Sequence, residues 1–141
     1  MASGVLRVIG VLLVLLGLVH LLATPHIARM LDACPPDVYA RDVGPTVLNH
    51  VLVGILLLPF GATTWMAAGA AARGEVWARR SLLVNALTLV ALPLSIGACM
   101  RRPEYYTAPL FVAGVALVGV VTVLALAATV TIWWAHSGDA R

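Results

Sequence analysis

Charge is what this sequence has least of. Only 11% of its residues are Asp, Glu, Lys or Arg, against about 25% in ordinary soluble domains. Lysine is missing altogether, so the 9 basic side chains are all arginine. With 62% hydrophobic residues and a mean hydropathy of +1.00, water is a poor solvent for the chain. Cysteine is scarce too: Cys34 and Cys99 stand far apart, and the absence of a C-x-x-C excludes a dithiol redox motif. No phosphate-cradling glycine loop and no nucleophile–base pair is visible. No room is left for a soluble domain, and nucleic acid is not an expected partner.

What the sequence has instead is apolar length. Residues 5–23, 47–72, 81–99 and 109–134 form runs of at least 19 residues, near the roughly 20 that cross a bilayer as a helix. Arg7 is the one charged residue inside them. The alternation of a membrane barrel is absent, and backbone groups in lipid must pair within the segment. The sequence therefore predicts an all-α integral membrane four-helix bundle in a single domain, partnered by the lipid bilayer. The expected helices are about 5–23, 47–72, 78–99 and 107–135, with outer loops 24–46 and 100–106 and an inner loop 73–77. "MASGVLR" has the basic start of a signal peptide, but the long apolar run ends in no clear cleavage site, so the first helix is read as retained.

Arginine placement sets the expected orientation. Arg7, Arg73, Arg79, Arg80 and Arg141 fall on one side, and Arg29, Arg41, Arg101 and Arg102 on the other. The compact "RGEVWARR" loop tips the balance, placing both termini in the cytoplasm of a bacterial inner membrane. Trp65, Trp77, Trp133 and Trp134 gather toward that side, and Tyr39, Tyr105 and Tyr106 toward the other, as interfacial rings do.

The outer side then collects the reactive residues. Stepping back from His20 by threes and fours meets Gly17 and Gly10; stepping forward from His50 meets Gly54 and Gly61. Small residues mark close helix approach, so both imidazoles are expected to face each other's helix. His26 stands beyond Pro25, which is expected to end the first helix. Residues 24–46 carry Pro25, Pro35, Pro36 and Pro45 beside Met30, Leu31, Val38 and Tyr39, and are expected to form a structured lid over the bundle mouth. In helix 3, Asn85, Thr88, Ser95 and Cys99 make a polar or small seam; Asn49 precedes His50. His136 is expected to be a solvated tail residue.

An ionisable residue at membrane depth is a functional candidate. Three uses fit His20, His50 and His26: ligation of one haem iron, copper or zinc; proton relay with Asp37, Asp42 or Glu104; or a hydrogen bond to a nearby carbonyl. Glu104 and Tyr105 complete the candidate ligand set. Cys34 and Cys99 share the outer side, where a disulfide would tie the first loop to helix 3. "RRPEYYTAPLFVAG", residues 101–114, resembles the Glu-Tyr-Phe-Pro-Leu-Phe segment of the membrane-associated eicosanoid and glutathione metabolism family, four-helix proteins of about this length. In that family the segment precedes the second helix, and its glutathione-binding arginines have no counterparts here, so no residue role is carried over. The expected function is a small polytopic membrane protein with a histidine-bearing pocket for a metal, a haem or a small lipophilic ligand. The alternatives are an accessory subunit of a larger membrane complex and a small homo-oligomeric transporter whose path the helix 3 seam would line.

Overall fold

The computed structural model describes residues 1–32, 35, 43–99, 106–107 and 109–136. Four helices follow in order: α1 (Ala2–Leu31), α2 (Gly44–Ala72), α3 (Val76–Cys99) and α4 (Pro109–Ala135). No strand occurs among the described residues, and all four helices are long and apolar enough to cross a membrane. The protein is an all-α, four-helix membrane bundle. Its outer surface agrees: Val8, Leu15, Leu22, Leu56, Leu87, Leu94 and Val123 all point away from the protein. In water such a surface would drive association. In hydrocarbon it meets a matching solvent.

Helix 1 corrects one expectation. It does not stop at Pro25 but runs on to Leu31, so the first third of the expected loop 24–46 is helical. Proline removes the N–H that the carbonyl four residues earlier would accept, a loss that membrane helices absorb through nearby side chains and local adjustment. Thr24 Oγ1 donates to His20 O at 2.8 Å and Arg29 Nε to Pro25 O at 3.3 Å, bonds that flank the proline without reaching Leu21 O, the carbonyl it deprives. Pro59 and Pro93 likewise lie inside unbroken helices. Most of the expected lid, including Pro36, Val38 and Tyr39, lies outside the described residues.

The helices contribute to two compact units, Gly10–Thr63 and Met1–Ile9 with Thr64–Arg141. In the first, α1 and α2 run antiparallel at very close range. A Cβ placed on Gly61 would lie 2.5 Å from Gly10 O, and one on Gly17 would lie 2.8 Å from Gly54 O. The glycines recur seven residues apart on each helix, the step that keeps one seam facing a partner. Only hydrogen fits there.

In the second unit the core is mostly alanine. Ala67, Ala68, Ala70 and Ala71 of α2 are buried, as are Ala78, Leu82, Ala86 and Leu89 of α3 and Val121, Ala125, Ala128 and Ile132 of α4. These fall at helical three- and four-residue steps, and their small side chains let backbones approach. Two interhelical hydrogen bonds add direction: Asn85 Nδ2 donates to Thr64 Oγ1 at 2.9 Å, and Thr122 Oγ1 to Leu89 O at 3.2 Å. Such bonds contribute about 0.6 kcal/mol each. Arg7, the lone charge within the apolar runs, lies over Gly69, whose Cβ would meet its Nη2 at 2.8 Å. The glycine makes room for the guanidinium.

The α2–α3 turn is tight and fully accounted for. Gly74 has φ +86°, Gly74 N bonds Ala71 O and Glu75 N bonds Ala70 O, the paired closure of a Schellman motif. Glu75 then accepts from Arg73 at 2.7 Å and from Trp77 Nε1 at 2.7 Å. His136 closes over this turn: it is half-buried, donates through Nδ1 to Ile132 O at 2.9 Å, and packs its Cδ2 against Gly74. It is not the solvated tail residue that the sequence suggests, because its ring fills the space the glycine leaves.

Two outcomes follow. Gly61→Ala should destabilise the protein by about 1–3 kcal/mol, the usual range for overpacking, in thermal unfolding in detergent. Gly114→Ala and Gly119→Ala, which meet nothing within 4 Å, should be neutral or mildly stabilising. The hydrogen bond from Trp77 and then those from Arg73 hold the Glu75 carboxyl below its ordinary 4.5. Its contribution to the turn is therefore present at neutral pH and lost as the pH falls through that lowered value. The Trp77 indole N–H resonance should shift with a midpoint under pH 4.5, and Glu75→Gln should abolish that transition.

Candidate functional site: the histidine pair

The seven-residue glycine register determines where the two imidazoles meet. His20 lies three residues after Gly17 and His50 four before Gly54, so both rings sit one helical turn from the closest backbone approach. Their centroids are 4.6 Å apart with planes tilted by 34°. Both are half-buried within the unit Gly10–Thr63.

Hydrogen bonding constrains each ring differently. His20 Nδ1 lies 3.0 Å from Leu16 O. A carbonyl only accepts, so Nδ1 carries the proton and, in the neutral ring, Nε2 holds a lone pair. His50 Nε2 is buried and has no hydrogen-bond partner. Leaving such a group unsatisfied costs roughly 1–3 kcal/mol. One ring thus presents an acceptor, and its neighbour a polar atom with nothing to bind.

The other expected ligands do not join this pair. His26 is exposed, because in a continuous α1 six residues turn it about 240° away from His20. Asn49 is exposed too, one residue and about 100° round from His50. Glu104, Tyr105 and Cys34 lie outside the described residues, as do Asp37 and Asp42, the other proposed relay partners. Cys99 is exposed, and the expected disulfide falls on Cys34, outside the described residues. Among the described residues no group of three His, Cys, Asp or Glu side chains comes together.

The expected helix 3 seam divides between two faces. Asn85 does turn inward, to Thr64. Thr88, Ser95 and Cys99 are exposed, because their stripe lies roughly 100° round from the buried one through Ala78, Leu82 and Leu89. Thr88 meets its own need by donating to Val84 O at 2.9 Å, which lets a hydroxyl face lipid. Three of the four seam residues therefore face away from the core of this chain.

Sequence reasoning, which groups Thr122, Ala125 and Thr129 on one face of α4 that is indeed buried, missed three polar details in the other unit. Thr64 receives the Asn85 bond while only 2% exposed. Arg79 rests over the Trp133 ring, 5.6 Å from its centroid. Thr129 is buried with its hydroxyl unpaired. Arg79 and Trp133 are distant in sequence, and no spacing rule links them. Comparison with protein-family models, with curated proteins and with solved structures finds no match to this chain.

The tautomer is directly checkable. Side-chain ¹⁵N shifts of labelled protein should report His20 protonated at Nδ1. His50→Ala should perturb the His20 resonances, and His26→Ala should leave them in place.

Proposed function

We propose that this is a small polytopic protein of the bacterial cytoplasmic membrane whose His20–His50 pair binds a transition-metal ion, copper or zinc. The observation that carries the reading is the buried, partnerless His50 Nε2 beside a ring whose own Nδ1 is committed to a carbonyl. A second hydrogen bond of that kind orients a metal-ligating imidazole and raises its basicity.

Ring spacing discriminates between metal centres. Two imidazoles bound side by side to one ion, with metal–nitrogen bonds of about 2 Å, place their centroids roughly 4.5–5 Å apart. Axial ligation on opposite faces of a haem iron needs about 6 Å. The 4.6 Å separation favours the first arrangement and disfavours a bis-histidine haem. With no third protein ligand among the described residues, the remaining positions are open to exogenous ligands, as in metal sites that exchange or react rather than in closed structural ones. The arginine balance and the "RGEVWARR" turn support cytoplasmic termini, which would put the pair at the outer end of α1 and α2.

A second reading rests on a different observation. The exposed stripe of Thr88, Ser95 and Cys99 on α3 is suited to pack against another membrane helix, in a second copy or a larger complex.

Protein purified with its native lipids should contain about one copper or zinc per chain and show no Soret band. His20→Ala and His50→Ala should each weaken metal binding by more than about 100-fold, since loss of an outer-shell partner alone reaches 10–100-fold. Metal-free protein that takes up neither ion in titration would refute the metal reading. Recovery of a second protein at equal stoichiometry would favour the other.

A further inference from the structure

Far from the histidines in sequence, α3 and α4 form a groove of about 330 Å³ lined by Leu83, Thr129, Val130, Trp133 and Trp134. Its walls are apolar with one exception. Thr129 is only 3% exposed, and its Oγ1 is buried with no hydrogen-bond partner. That is unlike the other threonines. Thr24, Thr63, Thr88, Thr122 and Thr131 all donate to a carbonyl three or four residues back, the usual way a membrane helix absorbs a hydroxyl. Thr129 keeps its donor for something else.

A second unspent donor stands beside the groove. The Arg79 guanidinium rests over Trp133, which forms one wall, and Arg79 Nε is itself buried and unpartnered. Among the described residues the carboxylate nearest in sequence, Glu75, is taken by Arg73 and Trp77. No ion pair reaches Arg79 among the described residues. Along α4, Trp133 lies one turn, about 6 Å, closer than Thr129 to the helix end at Ala135. From the helix end inward the groove therefore offers an aromatic wall, a hydroxyl donor and an aliphatic surface, with the Arg79 guanidinium outside its lining against the Trp133 ring.

We propose that this groove holds one anionic phospholipid of the surrounding bilayer. Its phosphate sits at Arg79, an acyl ester carbonyl accepts from Thr129 Oγ1, and the chain lies along Leu83 and Val130 against Trp134. Each part of the lipid meets the group that lacks a partner in the protein alone. Tryptophan at the headgroup level is the common interfacial arrangement, and basic residues there select anionic lipids. The site shares no residue with the histidine pair, so its success or failure does not depend on the metal reading.

The test uses full-length protein in phosphatidylcholine nanodiscs with graded phosphatidylglycerol, with retained lipid counted by native mass spectrometry. One phosphatidylglycerol should be held in preference to phosphatidylcholine. Arg79→Gln should weaken that preference roughly fivefold, the contribution of one basic residue at an anionic surface. Thr129→Val keeps the shape and removes the donor, so it should lower retention of the lipid while preserving thermal stability in pure phosphatidylcholine. Arg29→Gln, at the end of α1, should change nothing. Equal retention of the two lipids by the unaltered protein overturns the proposal, as does full competition by inorganic phosphate, which would make this a free-anion site. A measurement on the unaltered chain guards against variants that misfold: brominated phosphatidylglycerol should quench tryptophan emission more than brominated phosphatidylcholine. Equal quenching also overturns it.

Discussion

The contact between the α1 and α2 backbones is the constraint on which the candidate site depends. Hydrocarbon gives apolar helices no hydrophobic reason to associate, so their packing relies on close van der Waals contact and a few polar links. Gly10 with Gly61 and Gly17 with Gly54 bring main chain against main chain. Once that distance is set, side chains one turn away have nowhere else to go, and two imidazoles end at 4.6 Å. The ring pair is a consequence of the glycines more than of any attraction between the histidines.

The two units meet the same problem differently. Gly10–Thr63 has paired glycines and a half-buried histidine pair. The unit of Met1–Ile9 and Thr64–Arg141 has an alanine core cross-linked by Asn85–Thr64 and Thr122–Leu89. Alanine gives up less backbone freedom than glycine but holds helices further apart. Close approach is spent where a site is formed, and ordinary packing serves elsewhere.

Much of the architecture was legible in the sequence, and particular residues show why the rest was not. Apolar run length identified four helices, since a spanning segment has few alternatives in lipid. The glycines sharing stripes with His20 and His50 pointed to the α1–α2 contact. Pro25 misled because a break is the norm in water, whereas a membrane helix can carry its proline onward. The Thr88–Ser95–Cys99 stripe misled because its spacing is as regular as that of the buried stripe. A threonine that donates to the carbonyl four residues back no longer needs the interior, and the alanines at 78 and 86 were the better guide. Of the ligand set, only His20 and His50 come together among the described residues. His26 was separated by a helix that continued, and Thr129, legible on one face with Thr122 and Ala125, gave no sign of its missing bond.

The three residues that join α2 to α3 have a consequence for how the chain reaches its membrane. A Schellman closure at Gly74, locked by Glu75 to both neighbours, is too short to let one helix enter the bilayer and leave the other behind. The pair would insert as a single hairpin. Reversal of one helix would oblige reversal of the other, so orientation becomes a property of the hairpin, decided together by Arg73, Arg79 and Arg80 instead of span by span.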